Sequence, residues 1–421
     1  MRGLRANRVT AVKEGTLIAT VDVGATTNTG YCISTDGRDI KVFRFGNTKE
    51  GFEKFWHMIV AAKNRFKCSE VIVGYESTGP YAEPLVHYLK DKPVNIVQVN
   101  PMHTKKLKEV NDNSPGKTDD KDPRVIADIV RLGHALSVVI PEGDAAYLRR
   151  LSNARERHVR ERTSLLNQMQ QLVFLVFPEF KTVIKQMAGR TVRFILKTYT
   201  APDKIGTLDK KVFGEEMRKR SMGNLGVKDA ELLISAARQT VGVKEGMAGI
   251  VMDIRHIVSQ LDVVDSFKAE IEAEMASTLE HIPCSARLLS IKGLGVVSVA
   301  GLIGEVGDFS KFKTQSEIMK LAGLDLYEVS SGKRKGEKRI SKRGRSLIRK
   351  ILYFAAIQMV RKNGIMHHYY ERLTGRGMLK MRALVAVMRK LLGIIHAIVR
   401  DDRDYVGEYC APKRRLIKRA A

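Results

Sequence analysis

Four carboxylates are spaced so that a folded chain could bring them to a pair of divalent cations. Asp22 stands in Thr20-Val21-Asp22-Val23-Gly24 and Glu76 in Val73-Gly74-Tyr75-Glu76-Ser77-Thr78-Gly79-Pro80; Asp119 and Asp122 belong to Lys117-Thr118-Asp119-Asp120-Lys121-Asp122. Phosphoryl transfer with two metal ions needs several carboxylates around cations about 3.5–4 Å apart, one preparing the nucleophile and one steadying the leaving oxygen. An acid flanked by valines in a β-rich run is poorly placed as a solvated surface charge. Asp119 and Asp122, three residues apart, share a face of a helix or turn. Such hard oxygen donors suit Mg2+ or Mn2+. Plainer roles stand beside this one. Asp22 could open a phosphate-binding turn, Glu76 could be a strand-end charge, and Asp122 before Pro123 is placed to cap a helix. Asp120 is the substitute ligand in the cluster.

A second chemistry centres on a serine pair, Ser330 and Ser331, followed by Gly332-Lys333-Arg334-Lys335. Residues 311–350 hold 13 Lys and Arg against 4 Asp and Glu. A serine hydroxyl there could attack a phosphodiester while the cations stabilise the developing charge. A Ser-Ser-Gly is also an ordinary turn. Lys333, Arg334, Lys335, Lys338, Arg339, Lys342, Arg343 and Arg345 suit phosphate neutralisation without sequence reading. Upstream, Ile291-Lys292-Gly293-Leu294-Gly295 resembles the turn of a helix–hairpin–helix, where backbone N–H groups approach a phosphate. Its alternative is a helical hairpin that only packs.

The first 140 residues must position the acids. β-rich runs at 16–23, 30–34 and 39–45 predict an antiparallel meander. A helix over 49–64, a strand over 70–75, a helix over 80–90 and a strand over 94–99 follow. Two helices, 101–110 and 123–133, flank the polar loop 111–117. That order is the order of a ribonuclease H-like (RuvC-like) α/β domain, in which the strands of Asp22 and Glu76 are neighbours. Beyond residue 145 the pattern is helical. Residues 148–177 open with Arg149, Arg150, Arg155, Arg157, Arg160 and Arg162. Within 228–280, Ile250, Ile254, Ile257, Leu261, Val264, Ile271 and Met275 follow a 4-3-4-3 spacing broken by Lys268, predicting a coiled-coil arm or a bundle helix. Gly242, Gly246 and Gly249 would interrupt a continuous rod. The expected division is therefore 1–145, a RuvC-like domain; 146–281, a helical, coiled-coil region; 282–405, a mainly helical domain with the serine; and 406–421, a basic tail.

Composition agrees with an anionic partner. The 421 residues carry 73 Lys and Arg against 46 Asp and Glu, a net charge of +27. With 44% hydrophobic residues this is a folded protein and not a basic disordered tail. Nucleic acid is the first expectation, ahead of a membrane surface or an acidic protein. The four cysteines (Cys32, Cys68, Cys284, Cys410) form no CxxC pair. A disulfide framework or zinc ribbon is not expected, and a reducing cytosol is. Residues 1–13 lack the apolar stretch of a signal peptide, and no run approaches 18 apolar residues. The expectation is a cytoplasmic, nucleoid-associated protein with no membrane partner.

Taken together, these residues resemble the DEDD transposases of the insertion-sequence one-ten group, which pair a RuvC-like domain with a serine-bearing transposase domain. The resemblance rests on Asp22, Glu76 in Tyr-Glu-Ser-Thr-Gly, the Lys-Thr-Asp-x-x-Asp of 117–122, the Ile-x-Gly-x-Gly hairpin, and Ala-Gly-Leu…Ser-Ser-Gly followed by Arg339-Ile340-Ser341-Lys342-Arg343-Gly344. It implies a DNA recombinase in which Asp22, Glu76, Asp119 and Asp122 hold the metal. Ser331, with Ser330 as the fallback, would form a covalent phosphoserine link to DNA. It further implies a structured non-coding guide RNA that pairs with target and donor DNA, and a homo-oligomer, dimer or tetramer, with composite sites. A guide RNA fits a basic chain with only 6% aromatics, since bases need not be read by stacking. Pro123 departs from the family, which usually has alanine there. The rivals are a RuvC-like junction nuclease that leaves Ser331 idle, a non-catalytic nucleic-acid-binding protein, and a kinase of the actin–hexokinase superfamily, whose first phosphate loop Asp22–Gly30 resembles.

Overall fold

Strand β1 (Thr16–Asp22) is buried on both faces along its first six residues, with Leu17, Ala19 and Val21 on one side and Ile18 between two threonines on the other. A strand of that composition belongs at the centre of a covered sheet. The computed structural model describes residues 12–76, 79–112, 122–328, 336 and 338–405, and there β1 is central. The chain forms two units that divide between Ile140 and Pro141.

In the first unit β1 is followed by β2 (Thr27–Ser34), β3 (Phe43–Gly46), α1 (Lys49–Phe66), β4 (Glu70–Glu76), α2 (Ala82–Lys90), β5 (Asn95–Val99), α3 (Pro101–Asp112), α4 (Asp122–Arg131) and β6 (Leu136–Ser137). The sheet order is β3-β2-β1-β4-β5-β6. The meander β1–β3 is antiparallel, β4 and β5 join in parallel, and β6 pairs antiparallel with β5. Side chains alternate between two faces. Leu17, Ala19, Val21, Val71, Val73 and Tyr75 meet Phe55 and Ile59 of α1 and Leu85 and Leu89 of α2. On the opposite face Ile18, Ile72 and Val97 meet Val125, Ile126, Ile129 and Val130 of α4. Thr48 caps α1 by accepting from the Gly51 N–H.

The bounds shift from expectation by one to four residues in most elements, and furthest at the second and third strands. β2 starts three residues early, at Thr27. The third strand is Phe43–Gly46, and Asp39 makes only an isolated bridge to Ile33. β6 leaves no mark in the sequence, because two residues carry no periodicity.

The second unit is mostly helical. Its elements are α5 (Gly143–Val176), α6 (Phe180–Val183), α7 (Arg190–Thr198), α8 (Pro202–Gly206), α9 (Lys210–Arg220), α10 (Val227–Arg238), α11 (Met247–Glu280), α12 (Ser285–Leu289), α13 (Val296–Val306), α14 (Gln315–Leu321), β7 (Leu326–Glu328), β8 (Lys338–Ile340), α15 (Ser346–Met359), α16 (His367–Gly375) and α17 (Lys380–Asp401). Helices α5 and α11 lie side by side in opposite directions, tied by Arg155 Nε to Glu272 at 2.7 Å and Arg162 Nε to Asp265 at 2.7 Å. The heptad positions Ile254, Ile257, Leu261 and Val264 are buried in one core with Leu165, Met169 and Val173 of α5. That core also takes Val192, Ile195, Phe213 and Met217, so the segment 181–226 that had no clear sequence pattern supplies α6–α9 to it. The helical stretch over 228–280 is interrupted at the glycines, as expected, between α10 and α11, where Gly246 has φ +71° and Gly242 lies so close that a Cβ would be 2.0 Å from the Val176 carbonyl. Among the described residues no helix is long and apolar enough to cross a membrane.

Candidate catalytic site

The first acids are positioned by strand register. β1 and β4 pair through Thr20↔Gly74 and Val21↔Tyr75, so the next residue on each strand is Asp22 and Glu76. Both are half-buried. Alternation puts Asp22 on the face of Ile18 and Thr20, and Glu76 on the face of Ile72 and Gly74, which is the face covered by α4. Helix α4 is pinned there at two points. Thr20 Oγ1 donates to the Pro123 carbonyl at 2.6 Å. Gly74 leaves α4 room to lie down, since a Cβ would stand 2.7 Å from Val130 Cγ2. Helix α4 begins at Asp122, which is buried. The fold thus presents Asp22, Glu76 and Asp122 to one side of the sheet at the carboxyl ends of β1 and β4.

Asp122 Oδ1 is held by the Lys108 ammonium of α3. A cation thus already sits against this carboxylate, whose oxygens are of the donor type that hard divalent ions take. Asp119 and Asp120 lie outside the described residues. Among the described residues no three His, Cys, Asp or Glu side chains form a group that could hold a metal.

The strands on either side of the serine segment in sequence form a short antiparallel pair. β7 and β8 pair through Leu326↔Ile340, Tyr327↔Arg339 and Glu328↔Lys338. Ser330, Ser331, Lys333, Arg334 and Lys335, which lie in sequence between those strands, fall outside the described residues. Its base is closely bonded. Asp325 accepts from Ser341 through both its carbonyl, at 2.9 Å, and its carboxylate. Lys342 N donates to the Gly323 carbonyl at 3.0 Å and Arg345 N to the Leu321 carbonyl at 2.8 Å. Gly323 has φ +64°, and a Cβ on Gly344 would stand 2.4 Å from the Leu321 carbonyl oxygen. Arg349 Nη1 donates to the carbonyls of Ala322 at 2.9 Å and Gly344 at 3.1 Å. Burial lowers the pKa of Arg349 from its ordinary value. The Ala-Gly-Leu and Arg-Ile-Ser-Lys-Arg-Gly segments are therefore the two sides of one clamp.

The expected phosphate contacts divide. Lys292, Lys338, Arg339, Lys342 and Arg343 are exposed, and Lys342 is held at φ +54°. Gly293 has φ +104° and packs on Met359, while Gly295 caps α13. Arg345 is turned inward. It donates to the Glu305 carbonyl, and its guanidinium lies 3.6 Å from the buried Glu305 carboxylate. Arg149 approaches the same carboxylate at 3.8 Å. Sequence reasoning passed over Glu305, Arg349, Asp325 and Lys108. The one available signal was an acid inside the apolar run 296–306, which demands a charged partner.

Comparison with known proteins agrees with both motif groups. Residues 19–178, which include all four acids, match the DEDD Tnp IS110 family, described as a transposase. Residues 285–371, which include the hairpin clamp, match the Transposase IS116/IS110/IS902 family. The 44.8 kDa protein of insertion element IS116 from Streptomyces clavuligerus is 27% identical over 296 residues, covering 68% of this chain and 72% of its own length. The 43.6 kDa protein of insertion element IS110 from Streptomyces coelicolor is 23% identical over 390 residues, covering 91% and 94%. A pilin gene-inverting protein of Moraxella bovis is 28% identical over 120 residues, covering 28% and 37%. With matches in both the acid-bearing and the serine-bearing regions, the chain belongs to the IS116/IS110/IS902 family of transposases, and so is a DNA-processing enzyme.

Proposed function

We propose that this transposase breaks and rejoins DNA through two centres, a divalent-metal site on a ribonuclease H-like sheet and a nucleophilic serine that lies between β7 and β8 in sequence. The observation that carries the reading is the register that sets Asp22 beside Glu76 on parallel strands, on the face where α4 begins with Asp122. The order β3-β2-β1-β4-β5 supports the ribonuclease H-like assignment. Asp22, Glu76, Asp119 and Asp122 would hold Mg2+ or Mn2+. When bound, the metal supplies positive charge against the charge that develops on a reacting phosphoryl group.

Ser331 Oγ attacks phosphorus and loses its proton to solvent or a neighbouring base. One bridging P–O bond breaks, the departing oxygen leaves as a hydroxyl after gaining a proton, and the ester is kept as a phosphoserine–DNA link. Reversal by another strand's hydroxyl reseals DNA without an external energy source. Lys338, Lys342 and Arg343 beside the hairpin neutralise phosphates. The reading includes target and donor DNA and a structured guide RNA, which fit the +27 charge combined with 6% aromatics; it also includes a homo-oligomer, which follows from the family resemblance alone.

The test is incubation with a suicide DNA substrate, the guide RNA and Mg2+, followed by detection of protein joined to DNA. The adduct is expected with the native chain and lost in Ser331→Ala. Asp22→Ala, Glu76→Ala and chelation by EDTA should stop strand breakage while leaving nucleic-acid binding. Cleavage with no adduct would instead indicate a hydrolytic junction nuclease.

A further inference from the structure

The turn leaving β1 begins one residue after the first acid, and its Gly24 amide and the carbonyls of Gly24, Ala25 and Thr26 are bonded to two asparagines. Gly24 N donates to Asn28 Oδ1 at 3.3 Å, and Asn28 Nδ2 donates to Asn47 Oδ1 at 2.8 Å. Asn47 Nδ2 then donates to the carbonyls of Gly24 at 2.8 Å and Ala25 at 3.1 Å. The Asn47 main-chain N–H donates to the Thr26 carbonyl at 3.1 Å. Asn28 is 0% exposed. The turn is also tight, since a Cβ on Gly24 would stand 2.3 Å from the Thr27 carbonyl oxygen.

A kinase phosphate loop needs its amides aimed at an anion. Here the Gly24 amide is directed to a side chain of its own sheet. The kinase likeness of residues 22–30 is therefore one of sequence, and the segment is a closed turn. What the clamp does hold is the exit from Asp22. On one side the β1–β4 pairing runs up to Val21, the residue before Asp22, and on the other Asp22 is itself paired with Thr29. Asn47, from the loop between β3 and α1, ties the following turn to the third strand.

We propose that Asn28 and Asn47 are positioning residues that fix Asp22 as a divalent-metal ligand through the Gly24–Ala25 turn. This rests on the metal-centre reading above. Groups that orient metal ligands without touching the metal typically change affinity by about 10–100-fold when removed.

The test is titration of the full-length chain with Mn2+, read from the electron paramagnetic resonance signal of the free ion, alongside thermal unfolding. The native chain should bind Mn2+, and Asp22→Asn should lose that binding. Asn47 is half-buried, so Asn47→Ala should fold with a Tm within about 3 °C of the native value, yet bind Mn2+ about tenfold more weakly. Asn47→Ser, whose hydroxyl can still donate to one carbonyl, should fall between. Asn28→Ala should weaken Mn2+ binding as Asn47→Ala does. Binding that is abolished by Asp22→Asn but unchanged in Asn47→Ala overturns the positioning role alone. No Mn2+ binding by the native chain overturns the metal-centre reading and the positioning role with it.

Discussion

The hydroxyl of Thr20 donates to the main-chain carbonyl of Pro123 across 2.6 Å, inside the buried contact between β1 and α4. It joins the strand that ends at Asp22 to the helix that begins at Asp122. Thr20→Val should cost about 1–3 kcal/mol in urea denaturation, because a buried carbonyl loses its donor. Thr20→Ser should recover most of that loss. Strand cleavage should fall further than the stability change explains, since the start of α4 moves with the bond.

Gly74 gives α4 its seat on the sheet. In Gly74→Ala the new methyl would meet Val130 Cγ2 at 2.7 Å. The expected cost is about 1–3 kcal/mol from overpacking. Adding Val130→Ala removes the colliding methyl, so a double-mutant cycle should show positive coupling between the two sites. Additive losses would mean that α4 does not rest on Gly74.

The hairpin clamp should separate chemistry from binding. Gly344→Ala would push a methyl to 2.4 Å from the Leu321 carbonyl oxygen, which is backbone and cannot rotate away. Arg349→Ala would leave the Ala322 and Gly344 carbonyls without their shared donor. Both variants should lose protein–DNA adduct formation while nucleic-acid affinity, measured by filter binding at fixed salt, changes by only a few-fold. An equal loss of affinity would place these residues in binding instead.

Asp265 links the two long helices of the second unit. Burial pushes its carboxyl up, but hydrogen bonds and charge from Arg193 and Arg162 pull it further down, so its pKa lies below the ordinary value. The stabilisation is thus complete above the unfolded carboxyl value of about 4 and fades as pH falls through the lower folded value. Asp265→Asn should cost about 1–2 kcal/mol at pH 7, after allowance for its partial exposure. The Tm gap between native and variant chains should be widest at pH 5–7 and close in stronger acid. A gap that stays constant with pH would show that the ion pairs contribute nothing.

Sequence alone assigns Arg343 and Arg345 equally to phosphate contact. Both lie in one basic stretch, but Arg343 is exposed while Arg345 turns to Glu305, forty residues earlier in the chain. A pairing at that separation leaves no local signal. The heptad spacing of 250–275 was similarly ambiguous, because an arm and a bundle helix bury the same stripe. Its partners on α5 and α7 decide that Ile254, Ile257, Leu261 and Val264 serve a core within the chain.

The basic composition, the strand order and the places of Asp22 and Glu76 were open to sequence reasoning, because strands announce themselves locally by alternation and a charged residue at the end of a buried run has few innocent roles. Tertiary structure alone decided which side of the sheet those acids face together, how α4 is seated to bring Asp122 there, and that Lys108 holds Asp122. It also decided that the Asp22 turn is closed by Asn28 and Asn47. The division follows from range: propensity and periodicity act over a few residues, whereas these bonds and close approaches join segments from several residues to about a hundred apart.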